Sequence, residues 1–149
     1  MAFHQLMRVV APQRLKVDGT SFQIAAGTTA LTSNSIDTQA NGNFCEGVCI
    51  LLHLGAITAT GTIAVVINES SDNATWSAVG STYNVTAGMA QTIVPIDIYR
   101  PKNRYLQVVC TRATANSAID SLTVLQYKAN EFPPANDGTI QTPVLYNNI

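Results

Sequence analysis

The residues best equipped for chemistry are Cys45-Glu46-Gly47-Val48-Cys49 and, four positions on, His53. Thiols and an imidazole are ligands that zinc takes when four of them converge tetrahedrally. Here they sit on a run that reads as an apolar strand. Positions 45, 49 and 53 of a strand share a face but spread over roughly 26 Å at ~3.3 Å per residue. They meet on one ion only if the chain folds back, and a fourth ligand is missing. The reading is no metal and no cofactor, with apolar buried thiols and one half-buried His. Nucleophilic catalysis has little more to work with. The two histidines are His4 and His53, and no Gly-x-Ser-x-Gly elbow occurs. A glycosidase pair such as Glu69 with Asp97 is conceivable, but nothing selects it. The expectation is that the chain is not an enzyme.

Two further segments carry chemical possibilities. Asn68-Glu-Ser-Ser-Asp-Asn-Ala-Thr-Trp76 resembles the Asp-box turn of sialidases, Ser-x-Asp-x-Gly-x-Thr-Trp. The Gly is replaced, Trp76 comes one residue early and the segment occurs once. A hairpin turn is favoured, with Asp72 and Asn73 bonding the backbone and Trp76 anchoring the next strand in the core. The alternative is a carbohydrate-contact loop with Trp76 as stacking platform. Asn68, Asn73 and Asn84 each open a glycosylation sequon, which an Asn- and Thr-rich chain produces by chance. Arg100-Pro-Lys102-Asn-Arg104 is the densest basic cluster. It reads as a solvated loop or as a docking contact with an acidic neighbour.

The elements around these residues are strands. Helical spacing of three and four is not sustained over any long window. Short runs of Val, Ile, Thr and Tyr alternate with Gly, Asn, Asp and Ser. The pattern predicts strands over Val9–Val17, Thr20–Ile24, Thr28–Leu31, Gly47–Leu54 and Thr62–Asn68. It predicts more over Trp76–Val79, Gln91–Ile98, Tyr105–Thr111 and Ile119–Tyr127. In the run from Arg104 to Arg112, Leu106, Val108 and Cys110 share one face, and Tyr105, Gln107, Val109 and Thr111 the other. Eight or nine short strands with polar turns suit an all-β, single-domain antiparallel β-sandwich, jelly-roll-like.

The ends differ. Residues 1–16 hold Pro12 with His4, Arg8, Arg14 and Lys16; residues 129–149 hold Pro133, Pro134 and Pro143. Proline bars a helix and disfavours a central strand. Yet Phe132, Ile140, Val144, Leu145 and Tyr146 are too apolar for a solvated tail. The organisation expected is an N-terminal arm (1–16), a sandwich (17–128) and a C-terminal arm (129–149), the arms packing on their own domain or on a neighbour.

Of 149 residues only 11% are charged, against about 25% in a typical soluble domain. A surface so poor in charge is wetted by Thr, Ser, Asn and Gln or covered by partners. The net charge of −1 argues against a nucleic-acid binder. No apolar run approaches the ~20 residues of a membrane span. No Lys or Arg occurs between Lys16 and Arg100, a stretch carrying Asp18, Asp37, Glu46, Glu69, Asp72 and Asp97. An acidic part and a basic part would let like copies attract each other. The start, Met1-Ala2-Phe3-His4-Gln5, lacks the basic-then-apolar pattern of a signal peptide, and three cysteines make no disulfide framework. Both features predict folding in a reducing cytoplasm.

Three segments together resemble small structural proteins of tailed bacteriophages. They are Val66-Ile-Asn-Glu-Ser-Ser-Asp-Asn-Ala-Thr-Trp76, Pro95-Ile-Asp-Ile-Tyr-Arg-Pro101 and Arg104-Tyr-Leu-Gln-Val-Val109. The resemblance spans about residues 47–128 and is to capsid-decorating, or cement, proteins with jelly-roll or sandwich folds. It implies a protein made in the host cytoplasm that clamps major capsid protein subunits together on the outer surface of the head, as a homodimer or homotrimer. The interface residues expected on that reading are Arg8, Arg14, Lys16, Arg100, Lys102, Arg104, Phe132, Ile140, Val144, Leu145 and Tyr146. The alternative is a carbohydrate-binding module of a phage tail or fibre, for which Trp76, Tyr83, Tyr99, Tyr105 and Tyr127 supply aromatics.

Overall fold

Strict alternation on one strand organises the molecule. In Gly47–Ile57 the side chains of Val48, Ile50, Leu52 and Leu54 are buried, whereas Cys49, Leu51 and His53 between them are half-buried. The pleat sends the first set to the interior and the second to an outer face. A computed structural model describes residues 10–40 and 45–127, with side chains from residue 13 onward. The strands are β1 (Val10–Leu15), β2 (Ile24–Gly27), β3 (Leu31–Thr32), β4 (Ile36–Asp37), β5 (Gly47–Ile57), β6 (Thr62–Ser70), β7 (Ser77–Thr86), β8 (Ile93–Tyr99), β9 (Tyr105–Ala113) and β10 (Ser117–Tyr127). No α-helix occurs among the described residues.

The strands form two antiparallel sheets. The first runs β1-β10-β5-β8, with β2 beside β1 along the same edge of β10. The second runs β3-β9-β6-β7, with β4 continuing β3 along β9. The pairing has one logic. Early strands pair with late ones, β1 and β2 with β10, β3 and β4 with β9, β5 with β8, and β6 with β7. One long hairpin has rolled up so that its two halves face each other across a core, which is the jelly-roll topology of a β-sandwich.

The core is aliphatic. Among the described residues its buried members are Leu, Ile and Val with Cys110, and no aromatic residue is one of them. Trp76 is half-buried at the mouth of β7 and so does not anchor that strand in the core as expected. The reason is upstream. Asp72 accepts from the backbone N–H of Ala74 at 2.9 Å and Thr75 at 2.8 Å, and Asn73 takes φ 59°. This self-bonded turn holds the segment at the surface.

Other boundaries shift for similar reasons. Thr20 to Gln23 form bends rather than a strand, because the Asp18 side chain accepts the N–H of Thr20 at 2.8 Å and of Ser21 at 2.6 Å. Extended pairing begins at Ile24. Thr28 to Ala30 are unpaired ahead of β3, and the short β4 escaped a pattern-based reading because two residues carry no period. Residues 10–15, placed in an arm by composition, form an edge strand against β10. Residues 129–149 lie outside the described residues.

Candidate interaction surface

The outer face of the first sheet is unusually apolar. Register aligns Tyr127, Gly47 and Tyr99 across β10, β5 and β8; then Leu125, Cys49 and Asp97; then Thr123, Leu51 and Pro95; then Ser121, His53 and Ile93. Ile93 is 53% exposed and Tyr99 56%. The outer face of the second sheet is built from Thr62, Ala64, Val66 and Asn68 on β6 and Tyr105, Gln107, Val109 and Thr111 on β9, a Thr- and amide-rich surface.

The aromatic end of this face is tied down. Tyr127 lays its ring over Gly47, where a Cβ would overlap it, so only glycine leaves room for the ring. Its hydroxyl donates to Asp97 Oδ1 at 3.0 Å. Tyr99 donates to Glu46 Oε1 at 2.6 Å, and the Arg100 guanidinium stands 5.2 Å from the Tyr99 ring centre. Burial, with the Asp97 hydrogen bond, pushes the Tyr127 hydroxyl up to about 12.

The face continues around β8 into a cleft of about 700 Å³ between β8 and β7, floored by Val65, Ile67, Val79, Met89, Val94, Ile96 and Ile98. A bulge in β7 borders the cleft, with Gly80 and Ser81 in its lining. The register steps from Val65–Tyr83 to Ile67–Val79, leaving Gly80 to Thr82 opposite Val66, with Gly80 at φ 69°. Tyr83, Ile93 and Tyr99, the exposed large apolar residues among those described, all line this cleft. Apolar exposure is therefore concentrated around β8 rather than scattered.

The backbone of β8 has one blunted edge. Thr92 O accepts from Leu54 N at 2.9 Å and Arg100 N donates to Glu46 O at 2.7 Å, so even-numbered residues bond to β5. Odd-numbered residues turn their backbone to the open side. Pro95 is one of them, so its missing N–H costs the ladder nothing and removes a donor from the exposed edge.

Five of the interface residues expected from sequence lie among those described. Arg14 and Lys16 flank Phe22, 4.9 and 5.8 Å from its ring centre. Arg104 forms a bidentate pair with Asp37, both contacts 2.8 Å, so it is engaged by an acidic partner in its own chain. This hydrogen-bonded guanidinium holds the Asp37 carboxyl below the usual range. Arg100 is largely exposed with its guanidinium 4.0 Å from Glu46, and Lys102 is exposed. Acidic and basic sequence segments thus meet within one molecule. Arg8, Phe132, Ile140, Val144, Leu145 and Tyr146 lie outside the described residues.

The chemical candidates are likewise separated. Cys49 and His53 share the outer face of β5, Cys45 packs against the core edge, and no group of three or more His, Cys, Asp or Glu among the described residues is placed to hold a metal. Burial raises the Cys45 thiol to about 11 and the Cys110 thiol to about 12. Glu69 lies on β6 of the second sheet and Asp97 on the outer face of the first.

One residue of consequence went unremarked in the sequence. Arg112 is buried, 5% exposed, and its guanidinium donates to the carbonyls of Thr29 at 2.9 Å, Ala25 at 2.9 Å and Ser117 at 2.7 Å. The signal was available: alternation puts Arg112 on the face of Leu106, Val108 and Cys110.

No known protein family matches this sequence, and no curated protein does. Solved structures of similar fold include the PBSX exported protein XepA, with TM-score 0.55, 13% identity, and coverage of 93% of this chain and 44% of that one. Others are the infectious bursal disease virus Gx strain (TM-score 0.45, 18% identity, 82% and 33% coverage) and the CBM22-1–GH10 modules of Clostridium thermocellum endo-1,4-β-D-xylanase 10B with xylohexaose (TM-score 0.42, 15% identity, 87% and 30% coverage). The chain spans less than half the length of each. The likeness to XepA shows the fold.

Proposed function

We propose that this chain is a structural protein of a virus particle: a decoration protein on the outer surface of a phage head that contacts the major capsid protein and copies of itself and ties capsid subunits together. The observation that carries the reading is the concentration of exposed apolar side chains on and around β8. Such a surface gains free energy by burial against another protein.

The experiment is capsid binding. Purified chain is mixed with undecorated heads, and both bound copies and the heat release of capsid contents are followed. Saturable binding that raises the release temperature, weakened by Tyr83→Asp on the β7 side of the cleft, is the expected result. Heads that neither bind the chain nor gain stability would refute it. A tail or fibre carbohydrate-binding module is the second reading, favoured by exposed Tyr83 and Tyr99 on the rim of the cleft. It requires saturable glycan binding abolished by Tyr99→Ala or Trp76→Ala.

A further inference from the structure

We infer that the outer face of the first sheet is the contact between two copies of this chain, packed face to face about a two-fold axis parallel to the strands. The inference deepens the proposed decoration role and rests on it only in treating this face as an interface.

Three observations select a second copy as the occupant. The first is apolar character at the middle of the face, where Leu51 and Cys49 on β5 lie beside Leu125 on β10, half-buried and outside the core cluster. The second is area. Four lanes about 4.8 Å apart and seven residues at ~3.3 Å each give about 19 by 23 Å of sheet. That projected sheet, roughly 440 Å² before side-chain relief is added, is of the same order as the ~800 Å² per partner of a standard interface.

The third is charge. Arg14 lies on β1 opposite Thr123, in the row of Leu51, while Asp97 lies on β8 one outward position along. The two charges thus lie toward opposite sides of the face, Asp97 accepting from the Tyr127 hydroxyl and Arg14 against the Phe22 ring, and neither is in an ion pair among the described residues. A two-fold parallel to the strands reverses lane order and sets β8 of one copy over β1 of the other. Asp97 then meets the Arg14 region of its partner, twice by symmetry. A two-fold across the strands would set β8 over β8 and Asp97 toward Asp97. Complementarity therefore picks the axis. Sheets packed this way cross at about 30° and lie about 10 Å apart.

Sedimentation equilibrium of the full chain tests this. The expected result is a dimer at micromolar concentration. Leu51→Asp should dissociate it, and Val109→Asp, on the opposite outer face, should leave it intact. Arg14→Glu and Asp97→Arg should each raise the dissociation constant at least about tenfold, and the double reversal should restore it to within about threefold. Thermal melts confirm that each variant folds, and the surface variant Arg14→Glu keeps the test open if Leu51→Asp does not. A monomer at ~100 μM overturns the inference, including the case in which residues 128–149 cover the face. So does a dimer that ignores Leu51→Asp and Arg14→Glu, or charge reversals that fail to rescue. A monomer that still binds heads refutes the dimer and leaves the decoration reading standing; a dimer that ignores heads does the reverse.

Discussion

Arg112 shows how much one side chain can organise. Its guanidinium reaches β2, the segment before β3 and the first residue of β10, so it joins pieces of both sheets at one end of the sandwich. A buried cation usually needs a carboxylate; here carbonyl dipoles take that part. Arg112→Met leaves those acceptors unpaired and should lower stability by about 3 kcal/mol in urea unfolding, with Arg112→Lys intermediate because an ammonium lacks the planar fork. Tyr127 makes a pH-dependent contribution. Its hydroxyl ionises near 12 when folded, against ~10 in an unfolded chain. A raised folded value means the stabilisation is whole below about pH 10 and is lost as pH climbs toward 12. Ultraviolet titration should show a late-titrating component that Tyr127→Phe removes, and the variant should lose less stability between those pH values.

At the scale of elements, β8 is the informative one. It is an edge strand with apolar side chains on both faces, the kind of edge on which chains pair and aggregate. Pro95 guards it by withdrawing a donor midway along the open side. Pro95→Val restores that N–H, and light scattering should then show larger, concentration-dependent species than the parent protein forms; an unchanged profile would show that Pro95 does not guard the edge. The opposing edge, β7, is protected differently, by the bulge at Gly80, which also borders the cleft. The Asp72 turn sets the start of β7. Its carboxyl is held well below the usual range by the N–H groups of Thr75 and Ala74.

Over the whole molecule, few charges mean that each engaged one matters. Hydrogen bonds and the Arg104 pair keep Asp18, Asp37 and Asp72 ionised to lower pH in the folded state, each carboxyl lying below its usual range. Depressed folded values contribute stability that is present above about pH 4 and lost as pH falls below it. Acid unfolding monitored by circular dichroism should therefore begin below about pH 4, and Asp37→Asn should flatten the low-pH slope. If the slope is unchanged, the Asp37–Arg104 pair is thermodynamically silent, as many exposed pairs are.

Much of this was legible in the residues. Period-two alternation marks β5, β6, β9 and β10 and assigns their inner faces, because burial on one side of a pleat is written directly into side-chain polarity. Short polar turns announce the all-β class for the same local reason. Other features depend on which strands become neighbours. The pairing of β5 with β8 and β10 gathers Leu51, Leu125 and Ile93 onto one face, though they are far apart in sequence. Asp37 finds Arg104 across 67 positions, which undoes the charge segregation of the chain. Arg112 finds its carbonyls only after the roll closes. Local patterning determined what each strand would bury; long-range pairing decided which exposed residues would lie together, and so where this protein offers itself to a partner.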